Sequence, residues 1–149
     1  MKLLLTRAVA VLQVIGGLLG IGLGATVFGS QWSSSPAVTI AYMFAFTFTF
    51  VAGILLWAAH PIARSVSVLV QACQVVTLVV NGWGFQFFAG FLTRVSYDTG
   101  HFNLLFGPGA AFVLATGEDP SQLLIGINFV PLVALFVLSL RDGFKEISA

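Results

Sequence analysis

Between Arg7 and Arg64 the chain contains no lysine, arginine, aspartate or glutamate. A stretch of that length without charge cannot cover a surface that faces water. Soluble domains carry about 25% charged residues, whereas this chain has 7% charged and 58% hydrophobic residues. The solvent it implies is lipid. Its 149 residues leave room for about four spans of ~20 residues in one domain.

Breakers divide the apolar sequence. The expected spans are about 8–28, 37–59, 65–81 and 120–140. SQWSSSP forms the first turn, and Pro36 opens the second span. HPIAR is the second connection, with Pro61 stopping one helix. The fourth span has a marked start: Asp119 caps, Pro120 takes the first helical position and Gln122 lies three residues after the cap. Glu118 and Asp119 suit the positive end of its dipole. The opening MKLLLTR resembles a signal peptide, but the apolar run continues to Phe28 without a clear cleavage site, so it reads as a retained span.

Basic residues set the orientation. In a four-span chain Lys2, Arg7, Arg64, Arg141 and Lys145 fall on one side, and Arg94 alone falls on the other. Both termini are therefore expected in the cytoplasm, as in a bacterial inner-membrane protein. Trp32 and Trp83 fall at the outer interface, and Trp57 at the inner one.

The segment from about 82 to 117 has a different period. From Trp83 to Tyr97 the odd positions are mostly apolar, which is a strand period. Asn81-Gly82 is a turn signal in front of it, Asp98-Thr99-Gly100 a hairpin connection and Gly107-Pro108-Gly109 a second break. Three short runs joined by such turns suggest a meander. Because open sheet edges are not tolerated in hydrocarbon, the meander is expected at or above the outer interface, its apolar face resting on the helix ends. A competing reading continues the third helix to about Phe91. The preferred fold class is a membrane all-α four-helix transmembrane bundle with a small extracytoplasmic antiparallel β-meander between the third and fourth helices.

Candidate functional residues fall into three groups. Gly16, Gly20 and Gly24 recur every four residues and form a smooth helix-packing groove. Gln13, Gln71, Gln74 and Asn128 are the polar residues at membrane depth, suited to interhelical hydrogen bonds or to a polar ligand pocket. Trp83, Phe85, Phe87, Phe91, Tyr97, His101 and Phe102 form the expected outer interaction surface.

Chemistry is sparse. Cys73 is the only cysteine, which excludes an internal disulfide or a thiolate cage. No ionisable residue lies in the middle of an expected span, which argues against a proton-coupled transporter. His60 and His101 are expected at opposite faces and cannot share a metal. No nucleophile elbow, phosphate loop or zinc-protease motif is present. A net charge of +1 offers no face for nucleic acid. The expectation is a non-catalytic membrane subunit without cofactor or metal, packing against the bilayer and against a membrane protein partner or further copies of itself. The alternatives are a lipid- or quinone-like ligand binder and a subunit of an oligomeric passive channel.

Overall fold

A computed structural model describes residues 2–98, 100–116 and 123–140. Two long helices open the chain, α1 over Lys2–Ser34 and α2 over Pro36–Trp57. Leu3–Thr26 of α1 and all of α2 are long and apolar enough to cross a membrane. The first expected span, about 8–28, lies inside α1, whereas the second, about 37–59, overruns α2 by two residues. Helix α1 runs on to Ser34, so the expected SQWSSSP turn shrinks to Ser35. Proline is tolerated next, at the first helical position, where an N–H has no intrahelical partner to lose.

The helix pair is antiparallel and close. Tyr42 donates its hydroxyl to the Gly20 carbonyl at 2.9 Å. Phe46 packs over Gly20, Gly17 lies on the Phe50 backbone, and Gly53 lies against Ala10 and Val14. Small residues at the crossing let the backbones approach, as in membrane helix pairs.

The other two expected spans are corrected. Helix α3 covers Ala63–Val75, 13 residues, and α4 covers Phe129–Ser139, 11 residues. At 1.5 Å per residue they are roughly 20 and 17 Å long, short of the ~30 Å hydrocarbon core. The expected caps of the fourth span, Glu118 to Gln122, lie outside the described residues. The protein is thus mixed α/β, with two long apolar helices and a four-stranded antiparallel sheet, not a four-helix bundle with a meander.

The strands are β1 over Val76–Val80, β2 over Trp83–Asp98, β3 over His101–Thr116 and β4 over Leu124–Asn128. Asn81 and Gly82 both have positive φ, 51° and 80°, and join β1 to β2. That is the two-residue type I′ hairpin favoured by Asn-Gly. The spatial order is β1-β4-β2-β3, so β4 returns to lie between β1 and β2. Gly107-Pro108-Gly109, expected to end a strand, lies within continuous β3, opposite Gly90, Phe91 and Leu92.

Strand β2 folds back on itself. It pairs antiparallel with β1 through Trp83–Phe85 and with β4 through Arg94–Asp98, while β1 and β4 are antiparallel to each other. Three strands cannot all be mutually antiparallel in a flat sheet. The two ends of β2 must therefore run in opposing directions. A hydrogen bond of 2.8 Å from Arg94 to Gln86 fits this geometry, because eight residues of straight strand would separate them by about 26 Å. The corner falls near Gly90, whose φ is +102°, opposite Gly109 on β3.

The sheet packs on the middle of α1, not on the helix ends. Gly16 lies directly against the Ala89–Gly90 peptide, and Phe46 of α2 packs with Phe87 and Ala89. A second cluster joins Val9 and Ala10 of α1 to Leu56, Ala63, Ala134, Val137 and Leu138. Arg64 holds the end of α4, donating to the carbonyls of Leu138 at 2.7 Å and Ser139 at 3.1 Å.

Candidate functional site

The curled sheet has a polar inside and an apolar outside. Because strand side chains alternate, one face of the three-strand ring receives Thr77 from β1, Gly126 from β4, and Gln86, Arg94 and Ser96 from β2. Thr77, Gly126 and Ser96 stand side by side across the sheet. A Cβ on Gly126 would meet Cδ of Arg94 at 2.9 Å and Cβ of Ser96 at 3.1 Å. Glycine at that position leaves room for the arginine side chain.

Arg94 is 7% exposed. Its Nη1 donates to Gln86 Oε1 at 2.8 Å and to Thr77 Oγ1 at 3.5 Å, and its Nε is buried without an acceptor. A guanidinium stays protonated even so. It acts here as a fixed hub of donors that ties β1 to both ends of β2.

The opposite face carries two rows of apolar side chains. Leu78, Ile125, Tyr97 and Phe102 stand in register across β1, β4, β2 and β3, and Val76, Ile127, Val95 and Leu104 form the adjacent row. All eight are exposed. A half-solvated soluble sheet has the reverse pattern, apolar toward its core and polar toward water. Polar inside and apolar outside is the alternation of strands that face lipid.

The amides expected at membrane depth do not form one pocket. Ser67 donates its hydroxyl to Gln13 Oε1 at 3.0 Å, joining α3 to α1. Gln74 Oε1 accepts the Ala89 N–H at 3.0 Å, and Asn128 Oδ1 accepts the Thr93 N–H at 3.0 Å. Gln71 is buried on the same face of α3 as Ser67 and Gln74. The amide nitrogens of Gln13, Gln74 and Asn128 are buried without an acceptor. None of the four side chains lines a described cavity.

The small residues of α1 divide between two neighbours. Gly20 and Gly24 face Phe46, Tyr42 and Met43 of α2, and Gly16 faces β2. The expected aromatic surface divides as well. Trp83, Tyr97, His101 and Phe102 are exposed, Phe85 and Phe91 are half-buried, and Phe87 is in the core. Among the described residues no three of His, Cys, Asp and Glu lie close enough to hold a metal. His60 is exposed, and its Nδ1 accepts the Ile62 N–H at 3.4 Å.

Sequence reasoning alone does not unite Arg94, Gln86 and Thr77, nor does it find the outer face of β1 and β4. One signal was present: Arg94, Ser96 and Asp98 alternate with Val95 and Tyr97. Comparison with protein-family models, with curated proteins and with solved structures finds no match to the chain.

Proposed function

We propose that the protein is a non-catalytic membrane subunit that assembles with other membrane-embedded chains. The observation that carries this is the reversed sheet, with Arg94 and Gln86 inside and eight apolar side chains outside. Exposed in water, such a continuous apolar face is an association or aggregation surface. Placed beside α1 and α2 in a bilayer, it is solvated by acyl chains or covered by a partner. Gly16 supports that depth, because it seats β2 near the middle of the apolar stretch Leu3–Thr26. The buried polar groups are spent on structure: two amides satisfy strand N–H groups, one joins two helices, and Arg94 ties three strand segments.

Extraction in a mild detergent followed by native mass determination tests the proposal. The expected species is heavier than one chain, through a second copy or another membrane protein. A clean monomer recovered under those conditions contradicts it.

A second reading has its own observation. An apolar groove of about 360 Å³ lies between α1, α4 and β2, lined by residues including Leu5, Val9, Leu12, Val133 and Thr93. It lies in the size range of small-molecule sites, and its lining suits an acyl chain or a similar hydrophobic ligand. Val133→Trp should fill it. Loss of a co-purifying lipid in that variant supports the reading, and a lipid retained at the same occupancy removes it.

A further inference from the structure

Resting on the membrane-subunit reading, we infer that the first half of β3 pairs with the same segment of a second copy of this chain, antiparallel about a two-fold axis through Leu104. Among the described residues β3 pairs only with β2, and no described strand lies on its other edge. The direction of its free groups follows from β2. The N–H groups of Ala89 and Thr93 point away from β3, to Gln74 and Asn128. In an antiparallel pair the residues opposite such positions also point their N–H and C=O away. Those residues are Ala110 and Phe106. By alternation Phe102 and Leu104 do the same.

Phe102, Leu104 and Phe106 thus offer both their backbone groups and their side chains, which are 79%, 70% and 75% exposed. The sequence Phe-x-Leu-x-Phe is a palindrome about Leu104. Antiparallel pairing about that residue sets Leu104 against Leu104 of the second copy, and Phe102 against its Phe106. Each such pair exchanges two backbone hydrogen bonds, and directly opposed aromatic rings add to the sheet. An isologous interface needs this kind of self-complementarity. Pro108 ends the usable edge, since it has no N–H at an outward position. The pairing is thereby confined to residues 101–107. In a bilayer the same edge cannot stay open, because no water is available to bond its N–H and C=O groups.

The test uses the full chain with Cys73→Ser, reconstituted in liposomes, with cysteines placed singly. Leu104→Cys should cross-link to itself on oxidation, because residues facing each other across the axis have Cα atoms about 5.5 Å apart, within disulfide reach. Phe112→Cys, beyond Pro108, should not. Leu104→Pro removes an outward N–H without touching a bond to β2, and should weaken dimerisation by at least about tenfold. Helix content measured on the same sample shows whether that variant folds. Failure of Leu104→Cys to cross-link, with the chain floating in the liposome fraction, overturns the inference and leaves the membrane reading intact. A chain that does not float overturns the membrane reading, and the cross-link yield then decides the strand pairing by itself. Equal cross-linking at residues 104 and 112 also overturns the inference.

Discussion

The side-chain oxygen of Asn128 accepts the backbone N–H of Thr93 at 3.0 Å and that of Val130 at 3.4 Å. One atom thus closes a gap in the sheet and caps a helix. The gap exists because β2 pairs with β1 only as far as Phe85 and with β4 only from Arg94. Between them, among the described residues, β2 has no strand on that side, and Gln74 and Asn128 serve in place of one. Without them, buried N–H groups stay unsatisfied at about 1–3 kcal/mol each.

Asn128→Ala should therefore destabilise the protein by about 1–3 kcal/mol. Amide exchange should rise at Thr93 and at Val130 together. If Thr93 keeps its protection in the variant, the side chain does not close the strand gap.

Two glycines of α1 should respond in opposite ways to alanine. A Cβ at Gly16 would overlap the Ala89–Gly90 backbone, whereas nothing lies within 4 Å of one at Gly22. Gly16→Ala should cost about 1–3 kcal/mol through overpacking. Gly22→Ala should be neutral or gain up to about 1 kcal/mol of helix propensity. Unfolding midpoints in the same detergent compare them, and equal shifts would remove the seating of β2 on α1.

Arg94 and Gln86 should be strongly coupled. Gln86→Leu deprives a buried cation of its 2.8 Å acceptor and should cost about 2–4 kcal/mol. Arg94→Met in addition removes the stranded charge, so the double variant should be more stable than Gln86→Leu alone. A double-mutant cycle measures the coupling; additive losses would place the two side chains apart.

Arg64→Ala should loosen the end of α4, since it removes the donors to Leu138 and Ser139. The expected loss is about 1–2 kcal/mol. Arg64→Lys should recover only part of it, because an ammonium lacks the planar fork. Full recovery by lysine would make the interaction one of charge alone.

The two long helices were legible because their apolar stretches exceed any strand. The period of two from Trp83 to Tyr97 likewise marked β2, which covers Trp83–Asp98. Strands β1 and β4 were not legible. Val76–Val80 and Leu124–Asn128 are short apolar runs that abut helices, and periodicity alone cannot separate such runs from helix. The Val/Thr content of VTLVV directly before Asn81-Gly82 was the available hairpin signal. The corner was hidden for a different reason. Gly107-Pro108-Gly109 has the composition of a turn, and only its pairing with Gly90–Leu92 makes it a bend within a strand. As for the site, sequence pointed to the amides one by one. That Gln74 and Asn128 replace a missing strand depends on contacts between residues 15 and 35 positions apart.

The central claim is that the outer face of the sheet lies in lipid or against a membrane partner, and Ile127 tests it most directly. Its side chain is exposed between Val76 and Val95 on that face. With Cys73→Ser as background, Ile127→Cys is spin-labelled and reconstituted in liposomes. Its relaxation is then compared in the presence of oxygen, which concentrates in hydrocarbon, and of a polar nickel chelate, which stays in water. Greater accessibility to oxygen, or protection from both, is the predicted result. Ready access of the nickel chelate to residue 127 would put the face in water and contradict the account.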